Sequence, residues 1–374
     1  MSDDSSSGEA NPTELDLARI DDPSINESDP DPEPVSYSGS DFDVDGLVRR
    51  FNRGDIVIPS FGTDSSDIET AGFQRRFVWR RPQMDRFIES LLLGYPIPGV
   101  FFVQQVDRRY LVLDGQQRIR TLASFYSGTH DKQIFALRSV ARRFEGLSYQ
   151  ALDDETRRKL DNTFIQATIV KTDGTPSSLD AVYQIFERLN TGGTQLTPHE
   201  IRVALYSGPL IEFLTSLNTN SAWRDLYGKE SPRLRDQEII LRFLAFYVQA
   251  ASYRRPLRKF LNDFAAAHRT LDSLPTDLLR QRFEATVGLI LEGAGRRALR
   301  ASGNQVNAAL TEALLVGLAR RLDFGEHPSA ASVRDAVETI MADPAMDSAI
   351  SRATADEDSV RTRIAITTRA FATI

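Results

Sequence analysis

The residues of this chain best suited to chemistry fall in one short phrase, Asp114-Gly115-Gln116-Gln117-Arg118, within YLVLDGQQRIRTLASFY at 110–126. An apolar run that reads as a strand ends there, and a pattern that reads as a helix begins. A helix start leaves four backbone N–H groups unpaired, and the dipole makes that end positive. Together they form an anion site. Arg118 falls in the first helical turn, where a cation opposes the dipole, so its position points to a negative ligand. Gly115 lets backbone and ligand come close, while Gln116 and Gln117 supply neutral donors and acceptors. Asp114 could hold a water, a metal ion or a sugar hydroxyl. It could equally do no more than cap the helix.

Two other segments carry suitable residue types. FQRRFVWRR (73–81) sets four arginines among three aromatics. Guanidinium groups pair bidentately with phosphates and stack on rings, so the interleaving suits phosphate or nucleic-acid contact. The alternative is that Phe73, Phe77 and Trp79 are core and the arginines are solvated. FERLNTGGTQLTPHEIR (186–202) places Glu187, Arg188 and Asn190 before a Gly-Gly turn, with Glu200 and Arg202 beyond it. Such a connection can cradle a phosphate, or it can simply join two helices.

What is missing narrows the chemistry. The chain has no cysteine, which excludes disulfides, thiolate nucleophiles and Cys-based zinc sites. Its four histidines, His130, His199, His268 and His327, are far apart and form no paired metal-ligand motif. Walker-type, HExxH and Ser-His-Asp patterns do not occur. No apolar run is long enough to span a membrane and the N-terminus does not read as a signal peptide, so a cytoplasmic protein with no membrane partner is expected.

The elements that must position these residues follow from periodicity. DIVIP (55–59) reads as a short strand. RPQMDRFIESLLLGYPIP predicts a helix with Pro82 at its first position and Gly94 just past its end. GVFFVQQVDRRYLVLDG reads as two strands turned at Asp107–Arg108. The helix after it runs to Gly128, with Ile119, Leu122, Ala123 and Tyr126 on its inner face. A charged helical stretch near 150–160 leads to a strand in 162–172. The next helix puts Val182, Ile185, Phe186 and Leu189 on one face and ends at Gly192–Gly193. Thr197, Pro198 and Glu200 form a capping box. From about Asp236 only helical patterns remain.

The net charge of −7 divides unevenly: residues 1–45 hold 14 Asp/Glu and one basic residue, Arg19, while the rest carries 44 Lys/Arg against 38 Asp/Glu. An acidic leader rich in Ser and Pro cannot bury enough apolar surface to fold alone. Three parts are therefore expected: a disordered tail over 1–40, an α/β domain over 41–220 and a helical domain over 221–374. The leader either solubilises or covers the basic body as a nucleic-acid mimic. The fold class is α+β.

Taken in order, the phrases Gln74-Arg75 with Phe77-Val78-Trp79, SLLLGYPIP, LDGQQRIRTL, FERLNTGGTQL with EIR, and DQEIILRFLA resemble the family known as domain of unknown function 262. This is the N-terminal domain of GmrSD-type restriction endonucleases. The likeness spans roughly 50–250, and NQVNAALTEALL (304–315) resembles the helical continuation that often follows. It implies a ParB/sulfiredoxin-like core in which the DGQQR segment binds, and in studied members helps hydrolyse, a nucleoside triphosphate. Asp114, Gly115, Gln116, Gln117 and Arg118 would form the site, Gln74 and Arg75 its wall, and Glu187, Arg188 and Asn190 its closing side. Arg118 and Arg75 would neutralise phosphates, and Asp114 would orient water or hold Mg²⁺. The cofactor would be ATP, GTP or CTP, with or without Mg²⁺, and the partners DNA or an effector or nuclease subunit. The His-dependent HNH module of the full-length enzymes and the cysteine of sulfiredoxins are both missing from this sequence. The expected function is an NTP-binding sensor or regulatory module of an anti-phage system. The alternatives are a ParB-like DNA-binding or DNA-cleaving protein and a non-catalytic adaptor.

Overall fold

The computed structural model describes residues 35–58, 79–189, 196–325 and 327–374. Its centre is a mixed five-stranded sheet in the order β1-β7-β3-β4-β2. The strands are β1 (Tyr37–Asp43), β2 (Ile56–Val57), β3 (Val100–Gln104), β4 (Tyr110–Asp114) and β7 (Phe164–Lys171). A small hairpin, β5 (Thr129–His130) with β6 (Gln133–Ile134), stands apart. β3 and β4 pair antiparallel, β3 and β7 parallel, and β1 closes the edge antiparallel to β7. The expected turn between β3 and β4 is present, with Arg108 at φ +67°.

β4 is buried on both faces. Leu111 and Leu113 join one core, and Val112 joins the other. The Val112 face is covered by α1 (Val44–Asn52), α2 (Arg81–Leu93) and α3 (Gln116–Ser127), through Leu47, Ile88, Ile119 and Leu122. Leu111 and Leu113 pack under α5 (Pro176–Leu189), against Val182 and Phe186. Full burial of each such side chain contributes roughly 1.5–3 kcal/mol.

That second core runs on without a break through the helical part: α6 (Pro198–Leu205), α7 (Pro209–Asn218), α8 (Ser221–Tyr227), α9 (Arg235–Gln249), α10 (Leu257–Ala267), α11 (Thr276–Ala294), α12 (Ala308–Arg321), α13 (Ala330–Met341), α14 (Pro344–Ser351) and α15 (Glu357–Ala372). A charged helix, α4 (Asp154–Asp161), precedes β7. The α+β class holds, and the chain beyond Asp236 is helical as its patterns predict. No described helix is long and apolar enough to cross a membrane.

Several local expectations shift. β1 starts at Tyr37, inside the stretch expected to be disordered. YSGSDFD has no apolar run of its own, and its register comes entirely from β7. Pro82 is the second residue of α2, while Gly94 ends it in the left-handed region at φ +77°. On α3 it is Phe125 that is buried, with Ala123 and Tyr126 only half-buried. Thr197 and Glu200 form the capping box as read, with Glu200 fully buried.

A chain of buried polar groups ties the helices together. Asn262 bridges Asp180 (3.0 Å) and the Arg202 Nε–H (2.8 Å). Arg202 stands 3.9 Å from Glu238, which Arg242 binds at 2.7 Å. Arg242 then lies 4.0 Å from Glu312, whose partner is Arg363 of α15. Beside this chain His199 is fully buried, and burial holds its imidazole neutral, down to about 3. Removing one member of a buried ion pair strands the other, at a cost of about 3–5 kcal/mol. Arg363→Ala should therefore lower unfolding free energy by about that amount in urea titrations.

Candidate functional site

The strand–turn–helix forms as the sequence reads, and the structure decides what Asp114 does there. Gly115 occupies the N-cap position of α3 in the left-handed region, φ +100° and ψ 7°, and no side chain caps the helix. The N-terminal N–H groups of α3 therefore have no side-chain acceptor. Asp114 instead points to Arg118 one turn on, with Oδ2 2.5 Å from the guanidinium. The carboxylate is half-exposed and the guanidinium 12% exposed. Its Nε–H is buried with no partner. With its carboxylate half in solvent, the pair contributes little to stability, about 0–1 kcal/mol. Its effect is geometric: it holds a cation over a helix start that would otherwise repel it.

Gly115 has a steric role as well. A Cβ built there would lie 2.5 Å from Val100 Cγ1, so a side chain cannot enter without displacing β3. Gln117 reaches in the other direction. Its Oε1 accepts the backbone N–H of Trp79 at 3.0 Å, which joins the end of the FQRRFVWRR segment to the turn. A backbone donor requires the amide oxygen, so the Gln117 NH₂ is the end left to donate. Gln116 is half-buried on the same first turn.

The rest of the arginine-rich segment divides. Arg81 lies 3.8 Å from the centre of the Phe135 ring, pairs with fully buried Asp85 at 2.8 Å and bonds the Ala136 carbonyl, so it is a structural strut. Arg80 is exposed. Gln74, Arg75 and Asn190, expected as walls of the site, lie outside the described residues, as do Phe73, Phe77 and Gly192–Gly193.

The third segment packs against the same sheet. β7 runs parallel to β3, so its Thr168 lies level with Asp114 at the end of β4 and its first residues extend past that end. α5 packs on that sheet through Val182 and Phe186, and Glu187 follows next on it. Glu187 is bound by Arg258 of α10 at 2.6 Å. Arg188 is exposed. No described contact joins either residue to the Asp114–Arg118 turn. Arg258 is a partner that sequence could not reveal, because 71 residues separate it from Glu187. Arg202, from the same segment, is almost wholly buried and belongs to the core chain of charges. Among the described residues no three His, Asp or Glu side chains form a set able to hold a metal ion.

Residues 54–207 match the family model described as GmrSD restriction endonuclease, N-terminal domain. This part of the chain is similar to a GmrSD N-terminal domain. The match covers the DGQQR turn, α2, the β3–β4 hairpin, β7 and both helices of the third segment. β1 and α1 precede it, although β1 belongs to the same sheet. No curated protein matches the chain.

The close approach of Gly115 to Val100 gives a direct test of the turn. Gly115→Ala should destabilise the sheet-bearing part of the chain by about 1–3 kcal/mol or more, since it adds left-handed strain to a steric overlap. Chemical denaturation would measure the loss.

Proposed function

We propose that the Asp114–Arg118 turn binds the phosphates of a nucleoside triphosphate and promotes its hydrolysis. The chain would serve as a sensor or regulatory module. A GmrSD N-terminal domain indicates a component of a restriction or anti-phage system. The observation that carries the nucleotide reading is an uncapped helix start with a guanidinium held over it, one of whose N–H groups is buried and unpaired. A phosphate oxygen would satisfy the N-terminal N–H groups and the cation together.

In this reading the N–H groups of Gln116 and Gln117 position the phosphates and Arg118 offsets their charge. Preorganised charge of this kind is the main source of catalysis in phosphoryl transfer. The Gln117 NH₂ donates to a phosphate oxygen while its carbonyl holds the Trp79 backbone. Asp114 orients the attacking water; were Mg²⁺ to bind with the nucleotide, Asp114 is the residue of the turn that would hold it, and the ion would offset phosphate charge. Gln74 and Arg75 would wall the site, and Glu187, Arg188 and Asn190 would close it. ATP, GTP and CTP are the candidate substrates.

The test is phosphate release with each nucleotide, with and without DNA, alongside calorimetric titration. Arg118→Ala should remove nucleotide affinity in a protein that stays folded, because its ion pair contributes little to stability. Asp114→Ala should retain binding and lose turnover. Unchanged affinity in Arg118→Ala would overturn the site, and unchanged phosphate release in Asp114→Ala would overturn the hydrolytic role.

A second reading, ParB-like DNA binding, is favoured by a different surface. The 138–141 loop is stitched along α2, with the Arg138 and Ser139 N–H groups on Asp85 and the Ala141 N–H on Glu89. This sets exposed Arg138, Arg142 and Arg143 beside exposed Arg86 of α2. If these arginines meet phosphates, DNA affinity should fall steeply as salt rises, with a shallower slope in Arg142→Ala/Arg143→Ala. A mobility-shift series over salt concentration reads both.

A further inference from the structure

A second cluster of arginines lies far along the chain from the DGQQR turn, in the helical part. A groove of about 570 Å³ opens between the Ala250–Ser252 turn, the end of α12 and the length of α15. Its volume is that of a small-molecule site. Val360, Ile364 and Ala365 form its floor with Ala250, and Arg254, Arg320, Arg361 and Arg369 stand around it. Arg361, Ala365 and Arg369 follow at i, i+4 and i+8, so they share one face of α15. The two arginines are about 12 Å apart along the helix axis. The alanine between them leaves the groove open.

Solvated arginines on a helix face are common, so the pairing of each decides the matter. Arg361 is bound to Asp358 at 2.9 Å. Arg254 donates to the carbonyl of its neighbour Tyr253, and Arg369 forms no ion pair with a described residue. Arg320 is the discriminating one. It is half-buried at the groove wall, and its one hydrogen bond is to the Thr368 hydroxyl at 3.3 Å. Burial makes its charge less favourable, Asp323 offsets this only from a distance, and no described carboxylate lies within ion-pairing range of it. Asp323 is itself bound by Arg282 and Tyr247, so this half-buried guanidinium faces an open groove beside three others with no carboxylate in contact. Guanidinium forks match phosphate oxygens, and the alanine and isoleucine floor suits a ring or chain. Glu357, at the start of α15, could accept from a hydroxyl or amino group at one end.

We propose that this groove is a second anion site, which binds a phosphorylated small molecule through Arg320 and Arg369 and seats its apolar body on Ile364 and Ala365. The site is independent of the DGQQR turn and stands whether or not that turn binds nucleotide.

The test uses the full chain carrying Arg118→Ala, so that the turn does not contribute, with ATP and inorganic pyrophosphate as calorimetric probes. ATP should bind with a saturable isotherm and more tightly than pyrophosphate, because the floor adds to the charge. Adding Arg369→Glu should weaken ATP at least about tenfold with an unchanged melting temperature, since Arg369 is exposed and unpaired. Arg320→Ala should do the same. The proposal is overturned if neither probe binds at concentrations up to the order of millimolar, or if both substitutions leave the affinity unchanged. Pyrophosphate binding as tightly as ATP would overturn the part assigned to the apolar floor.

Discussion

β4 has no solvent face, and the candidate site depends on that constraint. Leu111 and Leu113 are held by the core under α5, and Val112 by the core under α2 and α3. A strand buried on both sides can carry a charge only where it leaves the sheet, which is at Asp114. The chain must then turn at once to lay α3 against the Val112 face. Val100 stands 2.5 Å from any Cβ at the turning residue, so only glycine fits there. With glycine in the N-cap position no side chain is available to cap the helix. The unpaired N–H groups, and the arginine that Asp114 holds over them, are consequences of packing.

The helical part is attached to α5 through polar contacts as well as apolar ones. The core below α5 is continuous with that of the ten helices after it, so the boundary drawn at 220 marks a change of pattern and not a break in packing. Glu187, near the end of α5, is bound by Arg258 of α10. From Asp180, two turns further back, the buried polar chain leads to Arg363 of α15. Paired charges of this kind add little net stability over apolar packing, but they penalise any arrangement that separates them. They hold α5, α6, α9, α10, α12 and α15 to one mutual geometry, and they leave His199 neutral among them.

Much of the sheet and most helices were legible in the order of residues. The β3–β4 turn, the capping box at Thr197 and the helix after DGQQR follow from patterns that act over a few residues. β1 was not legible, because Tyr37–Asp43 becomes a strand only by pairing with β7, more than 120 residues on. Nor was Arg81 separable from its neighbours. It belongs to an arginine-rich run, yet Phe135 and Asp85 make it part of the core.

The sequence by itself determined the strand–glycine–helix order, the Asp114–Arg118 spacing of one helical turn, the acidic leader and the family likeness, since each is a local pattern. Only the tertiary structure decided that Asp114 pairs with Arg118 and does not cap the helix. The same holds for the pairing of Glu187 with Arg258, and for Gln117 holding the Trp79 backbone. The reason is physical. A side chain chooses among partners by distance in space, and those distances exist only once two cores have closed on the sheet.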